Sequence, residues 1–257
     1  MPENANKNSP SAVILTAIPL EYQAVRTHLL NIIELIHPKG NVYEKGLFRG
    51  DYHDWQIGIA EVGAGNNTCA LQTERAINYF NPEVILFVGI AGGIKDLNLG
   101  DVVAAEKAYG YERGKVSSNG FMTRPEVGMS SYEIFERAKA EAKKQTWKLR
   151  LPKKEQKKKL KAITKPIAAG EKVVAATRSE VYDLIHKIYN DTVAVEMEGS
   201  GFYTACHANG KIQFLIVRGI SDLLNNKSET DAKGYQEIAA RNASAFAFEV
   251  LSKFKIR

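Results

Sequence analysis

Cysteine is nearly absent from this chain: Cys69 and Cys206 are the only two in 257 residues. They have neither metal-ligand nor disulfide-framework spacing, so both read as small buried hydrophobes in a reducing, cytoplasmic setting. No metal or other cofactor is expected. Long hydrophobic runs are missing too. No stretch of roughly 18 uncharged apolar residues occurs, which argues against a membrane-spanning helix and a membrane partner. The Asn/Pro/Ser-rich start lacks the apolar stretch of a signal peptide, and a disordered leader is expected over residues 1–11.

What is present is a 44% hydrophobic chain, long enough for one large core. Its net charge of +6 is unevenly spread. Between Arg137 and Lys165 thirteen Lys and Arg stand against two acids, Glu141 and Glu155. That excess outweighs the net charge of the whole chain, so the remainder is acidic on balance. Basic character confined to one segment makes nucleic acid an unexpected partner. Such a run usually forms a solvated face; the other reading is a surface that meets a polyanion or a phosphorylated substrate.

Short β-branched runs alternate with longer amphipathic ones. Strands are expected over 12–18, 42–49, 55–61, 84–90, 102–108, 167–169, 192–195 and 212–220. The pair 42–49 and 55–61 reads as antiparallel, joined through Gly50-Asp51. Helices are expected from Pro19, a residue suited to the first helical position, to about residue 30, and over 66–80 and 131–144. Further helices are expected over 153–161, 179–189, 198–208 and 232–254, with Pro152 breaking the basic segment 131–165. Continuous apolar strands alternating with helices predict one α/β domain, its mixed, mostly parallel sheet covered on both faces.

In open α/β sheets ligands gather beyond the carboxyl ends of strands. Five elements follow strand-like runs here: Glu21, residues 63–67, residues 89–93 with Ala91 and Gly92, residues 195–199, and Ser221-Asp222. Glycine pairs after strands also serve as plain tight turns. Glu21 reads equally as a first-turn acid favoured by the helix dipole. Glu196 and Glu198 carry more weight, because two acids at the end of a short apolar strand are costly unless they bind something. Asp222 follows an apolar run that includes Arg218; an N-cap or a partner for Arg218 is the plainer reading.

Taken in order, ILTAIPLEYQAV, VGAGNNTCAL, FVGIAGGI followed by GDVVAAE, VAVEMEGSGFYTAC and FLIVRGISD resemble the nucleoside phosphorylase superfamily. Within it they are most similar to the methylthioadenosine/S-adenosylhomocysteine nucleosidases. The stretches run from Ile14 to Asp222, and the pairing of VEMEG with VRGISD is the specific part. Residues 111–165 match no motif.

The resemblance implies a nucleoside phosphorylase-like fold and cleavage of the N-glycosidic bond of an adenine nucleoside. Asp222 matches the acid that protonates purine N7, with Arg218 and Ser221 as its support. Glu198 matches the carboxylate on the ribose hydroxyls, Met197 packs on the sugar, and Glu21 orients the attacking water. Glu196, Ala91 and Gly92 join the substrate-binding set, and Val173 stands where the nucleosidases place an aromatic ring on the base. The phosphorylases hold phosphate with an arginine and a serine at positions that here are Phe87 and Ile90. Neither side chain binds an anion, so water is the expected nucleophile.

Arg113 and Lys115 lie where the family approaches the ribose 5′ side, which points to a 5′-phosphorylated purine nucleotide as the other substrate. Related domains also deplete nucleotides in bacterial immunity. A phosphorolytic enzyme and a non-catalytic purine nucleotide or nucleic-acid binder are the alternatives. The resemblance further implies a homo-oligomer, a dimer or larger, with FYTAC and the terminal helix read as exposed apolar surface.

Overall fold

The computed structural model describes residues 9–118, 120–174, 179–224 and 234–256. The strands are β1 (Ser11–Thr16), β2 (Leu30–Ile36), β3 (Val42–Arg49), β4 (Asp54–Glu61), β5 (Val84–Gly93) and β6 (Val102–Gly110), followed by β7 (Gly114–Ser117), β8 (Gly120–Thr123), β9 (Glu126–Met129), β10 (Ala162–Ala169), β11 (Ala194–Glu196) and β12 (Gln213–Leu223). The helices are α1 (Pro19–Arg26), α2 (Asn66–Phe80), α3 (Tyr132–Lys144), α4 (Lys153–Gln156), α5 (Glu180–Ile188), α6 (Gly199–Ala208) and α7 (Tyr235–Lys253).

A ten-stranded mixed sheet runs β11-β10-β6-β12-β5-β1-β4-β3-β2, with β9 beside β6; β7 and β8 form a separate hairpin. Its centre is parallel, in the pairs β1–β4, β1–β5, β5–β12, β6–β10 and β10–β11. β11 also pairs antiparallel with the end of β5, Val195 opposite Gly92. That pairing closes β11, β10, β6, β12 and β5 into a ring, in which β11 is paired on both sides.

Alternation along the strands explains why both faces are covered. In β1, Ala12 and Ile14 point into the core under α1, α3 and α7, whereas Val13 and Leu15 point into the core under α2 and α6. β12 behaves alike, with Leu215 and Val217 on one side and Phe214, Ile216 and Ile220 on the other. Gly219 has a specific reason to be glycine. A Cβ there would stand 2.0 Å from the Ala239 carbonyl oxygen of α7, so its absence lets α7 lie directly on β12.

The α/β class, the mixed, mostly parallel sheet and α2 agree with the sequence reading, and several boundaries do not. α1 ends at Arg26, and Leu30 opens an unforeseen edge strand, β2, whose Leu30, Ile33 and Ile36 are exposed and so lack an amphipathic strand pattern. Residues 89–93 are not a turn: β5 continues through Gly93 because β11 and β12 supply its hydrogen-bond partners. Likewise Ser221 and Asp222 lie within β12 rather than after it. In the basic segment only Lys153–Gln156 is helical after Pro152, and residues 162–165 already belong to β10. Of the leader, residues 1–8 lie outside the described residues, and Ser11 is in β1. The expected start of the last helix at residue 232 also lies outside them.

The surfaces expected to face a second subunit are interior. Phe202, Tyr203, Ala205 and Cys206 are buried between α2 on one side and β6 and β9 on the other, and α7 is buried along most of its length. The β7–β8 hairpin and β9 are among the places that do expose apolar side chains, at Val116, Phe121, Met122, Val127 and Met129. Both cysteines are buried and free.

Candidate active site

At the carboxyl ends of β1, β5, β11 and β12 lies a cleft of about 250 Å³. Closure of the sheet creates it. Val195 of β11 and Asp222 of β12 both pair with Gly92, so Glu196 at the end of β11, Glu198 just after it and the acid of β12 meet across one residue of β5. The β5–β12 register shifts between Ile220 and Asp222, a bulge at Ser221 that re-aims the strand end. Glu21, Ala91, Gly92, Val173, Glu196, Met197, Glu198, Ser221 and Asp222 all line the cleft.

Glu21 is brought there by α1. Its position in the first turn lets Oε2 accept the Ala17 and Ile18 N–H groups at 2.7 and 3.2 Å, while Oε1 accepts from Ile90 N at 2.8 Å. The first-turn reading and the site reading therefore describe the same side chain. Burial raises its pKa above the ordinary carboxylate value, against the pull of Arg218 and the three backbone N–H groups.

Arg218 organises the floor. It is fully buried, lies over the Phe87 ring at 4.1 Å, and uses Nη2 to hold Glu196 and, at 3.3 Å, Glu198. Burial opposes its charge, yet Glu196, Glu198 and Glu21 together raise its pKa. Gly89 makes room for this cluster: a Cβ there would meet Arg218 Nη1 at 2.3 Å and Glu21 Oε1 at 2.4 Å. Support of Asp222 by Arg218, expected from the resemblance, is not what the geometry gives. The side chain alternates toward the α2/α6 layer, where the glutamates are, and Asp222 follows the bulge.

Glu196 accepts from Glu198 N at 3.2 Å and from Gly199 N at 2.9 and 3.0 Å, at the start of α6. Glu198 accepts from Gly65 N at 3.1 Å. Its pKa is pushed up to about 7 by burial and by the Glu196 charge, with Arg218 and the Gly65 N–H opposing. Asp222 accepts from Ser221 Oγ at 2.8 Å through Oδ2, and its buried Oδ1 has no partner among the described residues. Gly92 keeps space beside it, since a Cβ would lie 3.2 Å from Oδ1.

Arg113 is elsewhere. It pairs with Glu126 in a second concavity that also holds Asn66, Glu112, Glu171 and Ser200. The basic segment does not line the cleft either. Arg137 and Lys144 pair with Glu141, Arg150 pairs with Glu249, and α3 packs on β10 and α7. The cations invoked for a 5′-phosphate are thus separated from the carboxylates. Lys172, paired with Glu112 at 3.0 Å, is the cation that lines the cleft among the described residues. Sequence reasoning missed it, together with Ile18, Val174 and Gln236. Lys172 and Val174 adjoin Val173, whereas nothing in the sequence marked Gln236 on α7.

A family model described as "Phosphorylase superfamily" matches residues 11–254. A 5′-methylthioadenosine/S-adenosylhomocysteine nucleosidase of Staphylococcus aureus is 26% identical over 241 residues, covering 90% of this chain and 94% of that protein. The Neisseria meningitidis 5′-methylthioadenosine/S-adenosylhomocysteine nucleosidase, solved with methylthio-immucillin-A, superimposes with a TM-score of 0.78 at 22% identity. It covers 95% of this chain and 99% of its own. The futalosine hydrolase of Helicobacter pylori has the same fold, with a TM-score of 0.77 at 23% identity over 96% of this chain and 99% of its own.

Proposed function

The chain belongs to the phosphorylase superfamily, and from that premise we propose that it hydrolyses the N-glycosidic bond of an adenine nucleoside to release free adenine. One observation carries the reading: four buried carboxylates, Glu21 from α1, Glu196 from the end of β11, Glu198 from the β11–α6 junction and Asp222 from β12, converge on one cleft over a buried arginine. Cleavage leaves positive charge on the ribose and negative charge on the departing base. Carboxylates with separate hydrogen-bond environments suit that separation of charge.

Asp222 delivers a proton to N7. Because the Ser221 hydroxyl donates to Oδ2, the proton for N7 is carried on Oδ1, which has no partner among the described residues. Glu198 accepts hydrogen bonds from the ribose hydroxyls and Met197 packs on the sugar. Glu21, held by three backbone N–H groups, orients the water that attacks C1′ and takes its proton. The bond to the base breaks as the new C–O bond forms, and the two carboxyls then exchange protons with solvent. Arg218 acts from beneath by fixing Glu196 and Glu198. Val173, with 60% of its surface exposed, stands at the rim and offers an aliphatic contact to the base.

Water rather than phosphate is the nucleophile, since Phe87 is fully buried and Ile90 offers the cleft an alkyl side chain. Support for a 5′-phosphorylated substrate narrows to Lys172. The test is incubation with a panel of purine nucleosides and nucleotides, with and without phosphate, followed by chromatography. Free base without phosphate is expected; base released only in its presence points to phosphorolysis. We infer further that the protein works as a homo-oligomer, burying the exposed apolar side chains of β7, β8 and β9. Light scattering that gives the mass of a single chain at assay concentration contradicts this.

A further inference from the structure

The loop that enters α2 touches Glu198 through its backbone alone. Gly65 takes a positive φ of +97°, which suits glycine, and points its N–H at Glu198 Oε1. The next residue, Asn66, lies behind the cleft, in the second concavity. Its carboxamide is used at both ends. Nδ2 donates to the Gly170 carbonyl at 3.1 Å and to Glu171 Oε1 at 3.0 Å, and Oδ1 accepts from Gly201 N at 2.9 Å. Its own N–H donates to Glu171 Oε1 at 3.2 Å, and Gly170 N donates to the Glu196 carbonyl at 3.1 Å.

One side chain therefore ties together three stretches of backbone, and each carries residues of the cleft. Ala64 is in the entering loop, residues 172–174 follow Glu171, and residues 196–198 run into the first turn of α6. The fit is tight: a Cβ on Gly201 would stand 2.0 Å from the Asn66 carbonyl oxygen, so α6 rests directly on the start of α2.

We propose that Asn66 is the positioning residue for the ribose-binding carboxylate: by clasping residues 170–171 and the start of α6, it holds the Gly65 N–H on Glu198. This rests on the role given to Glu198 above. Glu198 is faced by Glu196 from β11, Arg218 from β12, Glu21 from α1, and the Gly65 N–H and Cys69 thiol from the α2 side. Arg218 and the Gly65 N–H are the two groups that favour its charged form. Releasing the clasp removes one of them. The carboxylate then takes a proton more readily and grips the ribose less well.

The test measures KM and kcat for a nucleoside substrate from pH 5 to 9 in Asn66→Ala and Asn66→Asp, with melting temperature as a fold control. Asn66→Asp keeps an acceptor for the Gly201 N–H but has no donor for Gly170, and its charge faces Glu171. Being isosteric, it carries the test if the alanine variant does not fold. In both variants KM should rise about tenfold, the size of losing one or two hydrogen bonds, with kcat changed much less. The acid limb of kcat/KM should move to higher pH. A residue that merely starts a helix would lower the melting temperature and leave that limb in place. A KM within about twofold of wild type, with the limb unmoved, overturns the proposal while the nucleosidase reading stands. Wild-type protein that releases no base from any nucleoside defeats that reading, and the role of Asn66 with it.

Discussion

Replacing Arg218 by Met removes a buried positive charge from the floor of the cleft and keeps a long apolar stem over Phe87. In the native protein a fully buried guanidinium holds two glutamates directly and stands close to a third. Taking one partner from a buried ion pair costs about 3–5 kcal/mol, because the remaining charge has no water to return to. At about 2–4 °C per kcal/mol for a chain of this size, the melting temperature should fall by roughly 6–20 °C near pH 8. The pH dependence has a definite sign. Without the arginine, Glu21 and Glu198, already raised by burial, rise further above their unfolded values. Such groups contribute stability that is fully present below the unfolded pKa and is lost as pH rises through the folded one. The deficit should therefore be largest at pH 8 and shrink toward pH 5, where the carboxyls are protonated. Arg218→Lys keeps a charge but not the planar fork, and should fall between. Circular-dichroism melts at pH 5, 6, 7 and 8 read this out. A variant that melts with wild type at pH 8, or whose deficit grows as pH is lowered, refutes the picture of an arginine offsetting mutual carboxylate repulsion.

Asp222→Asn keeps the shape and removes the acidic proton, so base release should drop by about 10²–10⁴-fold while ligand binding and melting temperature stay near wild type; near-normal single-turnover rates count against Asp222 as the acid. With Glu198 in its proposed role as acceptor for the ribose hydroxyls, and its pKa pushed up to about 7, kcat/KM should decline as pH drops below that value. In Glu198→Gln the decline should disappear from the profile and KM should be raised throughout. Gly89→Ala forces a methyl between Arg218 and Glu21 and should destabilise the fold by about 1–3 kcal/mol, seen as a lower urea midpoint; an unchanged midpoint means that the cluster can open without cost.

The sequence by itself determined the layer architecture and marked the acids that line the cleft. Two-sided burial of β1, β5 and β12 writes a continuous apolar run, and α2 writes a helical period, so both are legible from local pattern. The acids were legible as well, since Glu196, Glu198 and Asp222 are charges set where apolar runs end. What only the tertiary structure decided is who meets whom. β5 runs through Gly93, and β12 through Asp222, because each has its partner in a distant part of the chain. A glycine-rich stretch looks like a turn until that partner is known. The pairing of β11 with β5 closes the ring and sets Glu196 and Glu198 near Asp222 across Gly92. Alternation along β12 turns Arg218 toward the glutamates, and the bulge at Ser221 sets Asp222 apart from it. Arg113 and the basic segment went astray for the complementary reason. Charge is read locally in a sequence, whereas its use depends on the acids the fold brings beside it, here Glu126 for Arg113, Glu141 for Arg137 and Glu249 for Arg150. Hydrophobic period is a property of neighbours along the chain, and so it survives in sequence. Strand closure and ion pairing join residues far apart along the chain, and only the folded arrangement fixes them.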